Sequence, residues 1–334
     1  MISAIHSDDE RFVSAWLKGL QKFPGATPMY TLGVRTFDRE IFSSSLVKDD
    51  SFVVTRSNEV LALVPLYRFA CEDGAMEYRY GREYLRTPLI GLPLTSKRYR
   101  ETAKFVFDQI ALLAKDNGVK SHRAVIEGVE LLEGRTYYNY LTDFGYVDES
   151  SVCQLIDLSM SKDDLWLDVR KSYRPLISRA RETYCSELIA ADNFDLDKCE
   201  EYRELHCKAA GRQTRSIKSF TLMYDMVMNG EGFIVFVRDQ NGTAVASHFF
   251  FYFRDYCLYA SSSIDPDQPQ NAGIGHLGLW EGMMAARQLG CTYLDMGQLR
   301  IGQTSSEKEE GIAIFKKGFG GRTVAVFRGK KDFL

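Results

Sequence analysis

The sequence predicts an α/β protein of two similar halves, on three observations. The chain has 334 residues, more than one ordinary domain needs. An order of hairpin, strand, helix and strand occurs twice, about 180 residues apart. A hydrophobic content of 45%, with 13% aromatic and 26% charged residues, supplies apolar material for a core in each half. A duplicated unit is the economical reading, and chance recurrence within an α/β chain is the plainer alternative.

In the first half, apolar residues Phe12, Ala15, Trp16 and Leu20 recur at helical spacing over 8–20, ahead of the breaker Phe23-Pro24-Gly25. The β-rich runs 51–55 and 60–69 flank the turn-like Arg56-Ser57-Asn58-Glu59. An amphipathic helix is expected over 99–115, ending near Asn117-Gly118, and a short buried strand over 123–126. In the second half, 232–237 and 243–253 form a hairpin around Asp239-Gln240-Asn241-Gly242, and 256–264 is a third strand. A helix follows over 275–289 with Gly290 as its stop, then a strand over 291–296. Polar runs at 148–151 and 159–164 place the join there.

A net charge of −3 generates no global field for nucleic acid or an anionic membrane, so a polyanion must be held locally. Seven scattered cysteines without a Cys-x-x-Cys pair suit a reducing compartment. The acidic start lacks a signal-peptide pattern, and no apolar run reaches membrane-spanning length. These features lead to the expectation of a cytoplasmic protein. Cys199, His206 and Cys207 supply too few local ligands to argue for zinc. Rossmann, P-loop and serine-hydrolase signatures are missing.

The stretch most informative about chemistry is Gln270-Asn271-Ala272-Gly273-Ile274-Gly275, between a strand and a helix. It fits Gln/Arg-x-x-Gly-x-Gly/Ala. Small residues permit close backbone approach, and the free N–H groups of a first helical turn attract a pyrophosphate such as that of coenzyme A. A glycine-rich turn that merely starts a helix is the bland alternative.

The segment 275–298 (GHLGLWEGMMAARQLGCTYLDMGQ), followed by Ile314-Phe315-Lys316-Lys317-Gly318-Phe319-Gly320-Gly321, resembles the FemABX and related GNAT-like acyltransferases. In that family a helix, a strand ending in Asp-x-Gly and an FKxGFGG loop occur in this order. The segment 165–181 (LWLDVRKSYRPLISRAR) is similar to the basic helix that opens the second half of these proteins. The resemblance covers most of 150–325 and the first half in outline.

It implies two tandem GNAT-like domains, 1–155 and 156–334, each a mixed, mostly antiparallel sheet flanked by helices, the second carrying the donor site. It implies N-acyl transfer to a small-molecule amine: an aminosugar nucleotide, an amino acid or peptide, or a cell-wall precursor. The donor is acyl-CoA, a co-substrate rather than a bound cofactor, or aminoacyl-tRNA as in the tRNA-using members. Nothing over 192–230 is long enough for the helical hairpin those members commonly insert, and the near-neutral charge also favours acyl-CoA. An inactive GNAT-like module that binds a peptide or sugar nucleotide is the rival of another class. No metal and no DNA are implied.

Phe315 and Lys316 match the loop that lines the family's reaction site, where the lysine steadies the tetrahedral oxyanion. A fixed ammonium acts chiefly in the transition state, when the charge develops. A surface lysine ahead of a glycine turn is the alternative. Asp295 serves to orient or deprotonate the amine, or else caps a loop. His248, in an apolar strand, is a candidate base or a satisfied core histidine. Arg170, Arg174 and Arg181 share a face if 165–181 is one helix, suited to a phosphate or to plain solvation. Tyr80 and Tyr84, in a basic aromatic loop, line an acceptor cleft between the halves or simply pack.

Overall fold

The computed structural model describes residues 1–269, 272–300 and 305–333. The chain divides into two compact units, residues 1–30, 42–151 and 324–334 in unit 1, and 31–41 and 152–323 in unit 2. A single cut after residue 155 is thus replaced by units that trade two segments.

Unit 1 contains an antiparallel sheet of Ile2–His6, Phe52–Arg56, Glu59–Val64 and Leu89–Ile90, in that order. A second sheet runs Leu46–Asp49, Tyr67–Ala70, Met76–Tyr78, Val119–Ile126 and then the last strand, Arg322–Asp332. The expected strand 60–69 is therefore two strands in different sheets. Pro65 separates them because it has no N–H to donate to a ladder. The first helix is Phe12–Lys22, whose buried Trp16 donates its indole N–H to the Tyr30 carbonyl at 2.8 Å. The long helix Lys97–Asp116 buries Ala103, Val106, Phe107, Ile110 and Ala114, one face at helical spacing. It connects two parallel strands, with Met76 opposite Val119 and Tyr78 opposite His122.

Unit 2 is one sheet in the order Cys185–Ile189, Gly232–Arg238, Ala244–Phe253, Tyr256–Ile264, Tyr293–Gln298 and Ser151–Asp157. Every pair is antiparallel except Tyr256–Ile264 with Tyr293–Gln298, which are parallel and joined by the helix Ile274–Gln288. Parallel strand, helix, strand is thus the shared motif of both units, as the repeated sequence order predicts. Two further helices, Leu196–Ala210 and Ile217–Met228, cover the sheet. Leu32–Ile41 joins this unit through Glu40, which pairs with Lys218 at 3.0 Å. The architecture is mixed α/β with mostly antiparallel sheets flanked by helices, as expected.

Glycine sets how close the crossover helix lies to the sheet. A Cβ at Gly278 would fall 2.2 Å from His248 Nε2, and one at Gly282 would fall 2.2 Å from Phe250 Cζ. Bulkier residues would lift the helix off these strands.

Each unit buries a neutral histidine. His122 lies against the Tyr146 hydroxyl at 2.6 Å, and His248 against that of Tyr259 at 3.2 Å. Burial pushes both imidazoles down to about 3. The unfolded chain takes these protons near 6.5, so the stability they contribute is present above pH 6.5 and is lost as pH falls towards 3. Urea titrations should show stability falling below pH 6.5 by about 1.4 kcal/mol per pH unit for each histidine. His248→Gln should remove about half of that slope.

Candidate functional site

The parallel pairing in unit 2 extends over only three positions: Tyr256 with Tyr293, Cys257 with Leu294 and Leu258 with Asp295. Beyond them, among the described residues, 259–264 pairs with Ala244–Phe253 and Gln298 pairs with Cys153 of Ser151–Asp157. A β-bulge lies at this point: Phe250 faces Tyr259 and Phe249 faces Ser261, leaving Ala260 as the extra residue. A bulge locally bends the strand and raises its twist. Pairing of the two strands thus stops at their carboxyl ends, the crevice position at which ligands of α/β sheets bind.

The helix Ile274–Gln288 starts at this end. Its N-cap, Gly273, has φ +70 and contributes no side-chain hydrogen bond. A Cβ there would fall 2.6 Å from the Leu176 carbonyl oxygen, so conformation and space both require glycine. The amides of the first turn therefore keep the partial positive charge of a helix start. Ala272, Gly273, Ile274 and Gly275 all belong to this turn; Gln270 and Asn271 lie outside the described residues. Ile274 is buried in the core beneath, and a Cβ at Gly275 would fall 2.8 Å from Ile264.

His276, in the same turn, packs edge-on against Tyr173 with ring centres 4.4 Å apart and against Phe315 at 5.1 Å. Phe319 completes this aromatic cluster, 5.2 Å from Phe315 and 5.6 Å from Tyr173. The cluster brings the glycine turn and the FKxGFGG segment together. That segment is not all loop: Phe315, Lys316 and Lys317 end the helix Glu307–Lys317, and Gly318 to Gly321, with Phe319 among them, follow it.

The glycines have structural reasons. A Cβ at Gly318 would meet the Tyr173 ring at 2.0 Å; one at Gly321 would meet the Leu155 carbonyl oxygen at 2.2 Å. Gly320 and Gly321 have φ +85 and +80, and the Gly321 N–H donates to Asp168 Oδ2 at 2.6 Å.

Lys316 points toward the strand end, where its Nζ donates to the Gln298 carbonyl at 3.2 Å. Burial lowers its pKa below the ordinary lysine value, and the Asp295 carboxylate works the other way. Asp295 accepts the Tyr256 hydroxyl on Oδ2 and the Gly297 N–H on Oδ1, both at 2.6 Å. It thus holds the turn at Gly297, where φ is +77.

The expected basic helix over 165–181 is two helices, Lys162–Asp168 and Arg174–Thr183. Pro175 occupies the first turn of the second, where its missing N–H costs nothing. The common arginine face does not form. Arg174 donates to the Val169 and Leu167 carbonyls, and Arg181 pairs with Glu281 at 2.7 Å. Arg170, outside both helices, lies exposed over the Tyr173 ring at 5.5 Å and so borders the aromatic cluster. His248 is enclosed between sheet and helix, 1% exposed. Tyr80 and Tyr84 are residues of unit 1, where Tyr80 packs edge-on against Phe42 and Tyr84 donates to Glu149.

Sequence reading missed one residue, having weighed His206 only as a metal ligand. On the helix Leu196–Ala210, Tyr202 and His206 are four residues apart; on the open half of Tyr256–Ile264, Ser261 and Ser263 are two apart. Four helical residues advance about 6 Å and two strand residues about 6.6 Å, so the pairs meet in register. Tyr202 hydroxyl meets Ser261 Oγ at 2.8 Å, and His206 Nδ1 meets Ser263 Oγ at 3.0 Å. His206 Nε2 meets Thr214 Oγ1 at 2.9 Å. Burial, then the nearby Arg215 charge, lowers the His206 pKa, so the ring is neutral at pH 7. The signal was faint: helical spacing of Tyr202 and His206 opposite an alternating serine strand.

Residues 168–308 match the model of an acetyltransferase (GNAT) domain. That match covers most of unit 2, and the fold is shared with solved FemX and tandem GNAT structures. FemX shares that fold at a TM-score of 0.66 and 13% identity, over 97% of this chain and 96% of its own. A tandem GNAT protein from the clavulanic acid biosynthesis pathway shares it at 0.56 and 13%, over 100% and 99%. So does the C-terminal domain of a putative lysylphosphatidylglycerol synthetase from Agrobacterium fabrum, at 0.57 and 12%, over 89% and 92%. No curated protein sequence matches this one significantly. Among the described residues no helix is long and apolar enough to cross a membrane.

The glycine packing sets one stability test. Gly321→Ala should cost about 2–4 kcal/mol in urea unfolding, from positive φ and a backbone collision. Gly311→Ala, inside the helix Glu307–Lys317 with nothing within 4 Å of its Cβ, should add about 0.5–1 kcal/mol.

Proposed function

We propose that this protein is an N-acyltransferase that takes an acyl group from an acyl-CoA thioester and passes it to the amine of a small molecule. The classes retained for the acceptor are an aminosugar nucleotide, an amino acid or peptide, and a cell-wall precursor. One observation carries the reading: the crevice between the diverging parallel strands opens at a glycine-started helix with no side-chain cap. Strand edges offer backbone donors to an extended carrier, and the helix start suits its pyrophosphate. The tandem GNAT protein of clavulanic acid biosynthesis, solved without AcCoA, shares this fold, which is in keeping with such a donor.

Transfer is direct. The acceptor nitrogen attacks the thioester carbonyl, the C–N bond forms, the C–S bond breaks, and the thiolate leaves with the carrier. Crevice amides and Lys316 stabilise the oxyanion, the lysine with the N–H donors that its bond to Gln298 leaves over. Neutral His206 takes the proton lost by the amine, directly or through Ser263. Asp295 acts as a positioning residue for the turn behind Lys316, and Phe315 shapes the wall with Tyr173 and His276. Arg170 is the cation placed to meet a phosphate. Buried His248 and the committed Arg174 and Arg181 have no part in the step.

An aminoacyl-tRNA donor is the second reading, because the fold is also that of FemX. The helices over 192–230 are only 15 and 12 residues long, short for the helical hairpin of the tRNA-using members. Labelled acetyl-CoA and labelled aminoacyl-tRNA, offered in parallel with a panel of amines, separate the two. Label should move only from acetyl-CoA; saturable binding of neither donor would overturn both readings.

Two variants test the roles. Lys316→Ala should lower kcat about 10²–10³-fold with donor binding nearly unchanged, whereas an inactive binding module would have no turnover to lose. His206→Asn should lower kcat about 10²-fold and abolish the acid limb of its pH profile; an unchanged profile would remove His206 from the mechanism.

A further inference from the structure

A cavity of about 500 Å³ opens within unit 1. One wall is the segment 88–95 that leads into the helix Lys97–Asp116; Glu130 to Tyr140 forms another. Pro24, Pro88, Leu92 and Pro93 make much of the surface apolar, and Tyr99, Tyr137 and Tyr140 add aromatic rings. One carboxylate, that of Glu130, lies among them.

The charge around it is uneven. Glu127 has Arg86 at 2.7 Å, and Glu133 has Arg135 at 2.7 Å. Among the described residues the Glu130 carboxylate has no hydrogen-bond or ion-pair partner. At the start of the helix beside the cavity, Ser96 Oγ already accepts the Tyr99 N–H at 3.0 Å, which weakens its pull on an anion. This helix is the counterpart of Ile274–Gln288 in unit 2, the crossover between parallel strands. The glycine start of one copy is a side-chain cap in the other, and an unpaired carboxylate stands near it.

We propose that this cavity is a second binding site, selective for an organic ammonium ion carrying a small apolar group. Aromatic faces attract a cation, and more strongly once water is excluded. The prolines and leucine enclose its methyl or methylene groups. Glu130 supplies the opposite charge. Burial pushes the empty-site carboxyl up to about 7, with Arg135 acting against this and Glu127 and Glu133 adding to it. The rings of Tyr30, Tyr99 and Tyr140 face the same charge, and their raised pKa values keep them protonated. A bound cation selects the ionised carboxylate, so affinity is full above pH 7 and declines below it.

Calorimetry on the full chain tests this with choline and its neutral carbon analogue, 3,3-dimethylbutan-1-ol. Choline should bind saturably, and the alcohol at least tenfold more weakly. Choline affinity should fall roughly tenfold from pH 8 to pH 6, and Glu130→Gln should weaken it at least tenfold and flatten that profile. Tyr137 is 79% exposed, so Tyr137→Ala leaves the fold intact and should weaken choline several-fold. That variant and the wild-type pH profile decide the matter if Glu130→Gln does not fold. Equal binding of alcohol and choline, no saturable choline heat at millimolar concentration, or unchanged binding in folded Glu130→Gln or Tyr137→Ala would overturn the proposal. None of these readouts depends on acyl transfer.

Discussion

Two parallel strands that stay paired for three positions and then separate impose a condition on everything near them. Backbone N–H and C=O groups past that point need other partners, and the Gln298 carbonyl takes one from Lys316. The bulge at Ala260 falls where pairing with Tyr293–Gln298 ends, so bend and opening coincide. The connecting helix has to begin at the same end, because a crossover between parallel strands returns from the carboxyl end of the first to the amino end of the second. A helix start beside the point where strand pairing ends is thus a consequence of topology, before any side chain is considered. The side chains decide what it accepts.

Glycine links that topology to packing. Gly278 and Gly282 let Ile274–Gln288 settle on the strands beneath, and Gly273 lets the chain enter the helix against Leu176. Gly318, Gly320 and Gly321 do the same where Glu307–Lys317 turns into the last strand, over Tyr173, Asp168 and Leu155. The two glycine groups therefore fix the two ends of one aromatic cluster, with His276 on one side and Phe315 on the other. A substitution that disturbs either packing would also move a wall of the crevice, so stability and activity are coupled here.

Much of this was legible in the sequence for identifiable reasons. Alternating apolar runs, glycine turns and 3.6-residue spacing are local signals, and they located the hairpin turn at 239–242, a helix over 275–289 and the repeated order of elements. The Gly-x-Gly turn was legible because small residues between a strand and a helix leave a trace, and the FKxGFGG segment through its resemblance to the FemABX-like acyltransferases. Less legible was whatever depends on partners distant in the chain. Arg174 and Arg181 read as free cations until the Leu167 carbonyl and Glu281 take them. His206 gained meaning only when a helix and a strand 57 residues apart fell into register. The break of 60–69 into two strands rested on Pro65 alone, and one residue is weak against a ten-residue β pattern.

The two crossovers show how one backbone arrangement carries opposite local charge. In unit 2 the helix begins at a glycine, and its first amides remain available to negative charge. In unit 1 the corresponding helix begins at Ser96, whose hydroxyl occupies a first-turn amide, and the nearby cavity holds an unmatched carboxylate. A helix start attracts anions through a partial charge of about half a unit. A capping hydroxyl reduces that by satisfying the donor, and a neighbouring full negative charge reverses the local field. Two crossovers of the same form can thus differ in the sign of their local field through one capping residue and one carboxylate.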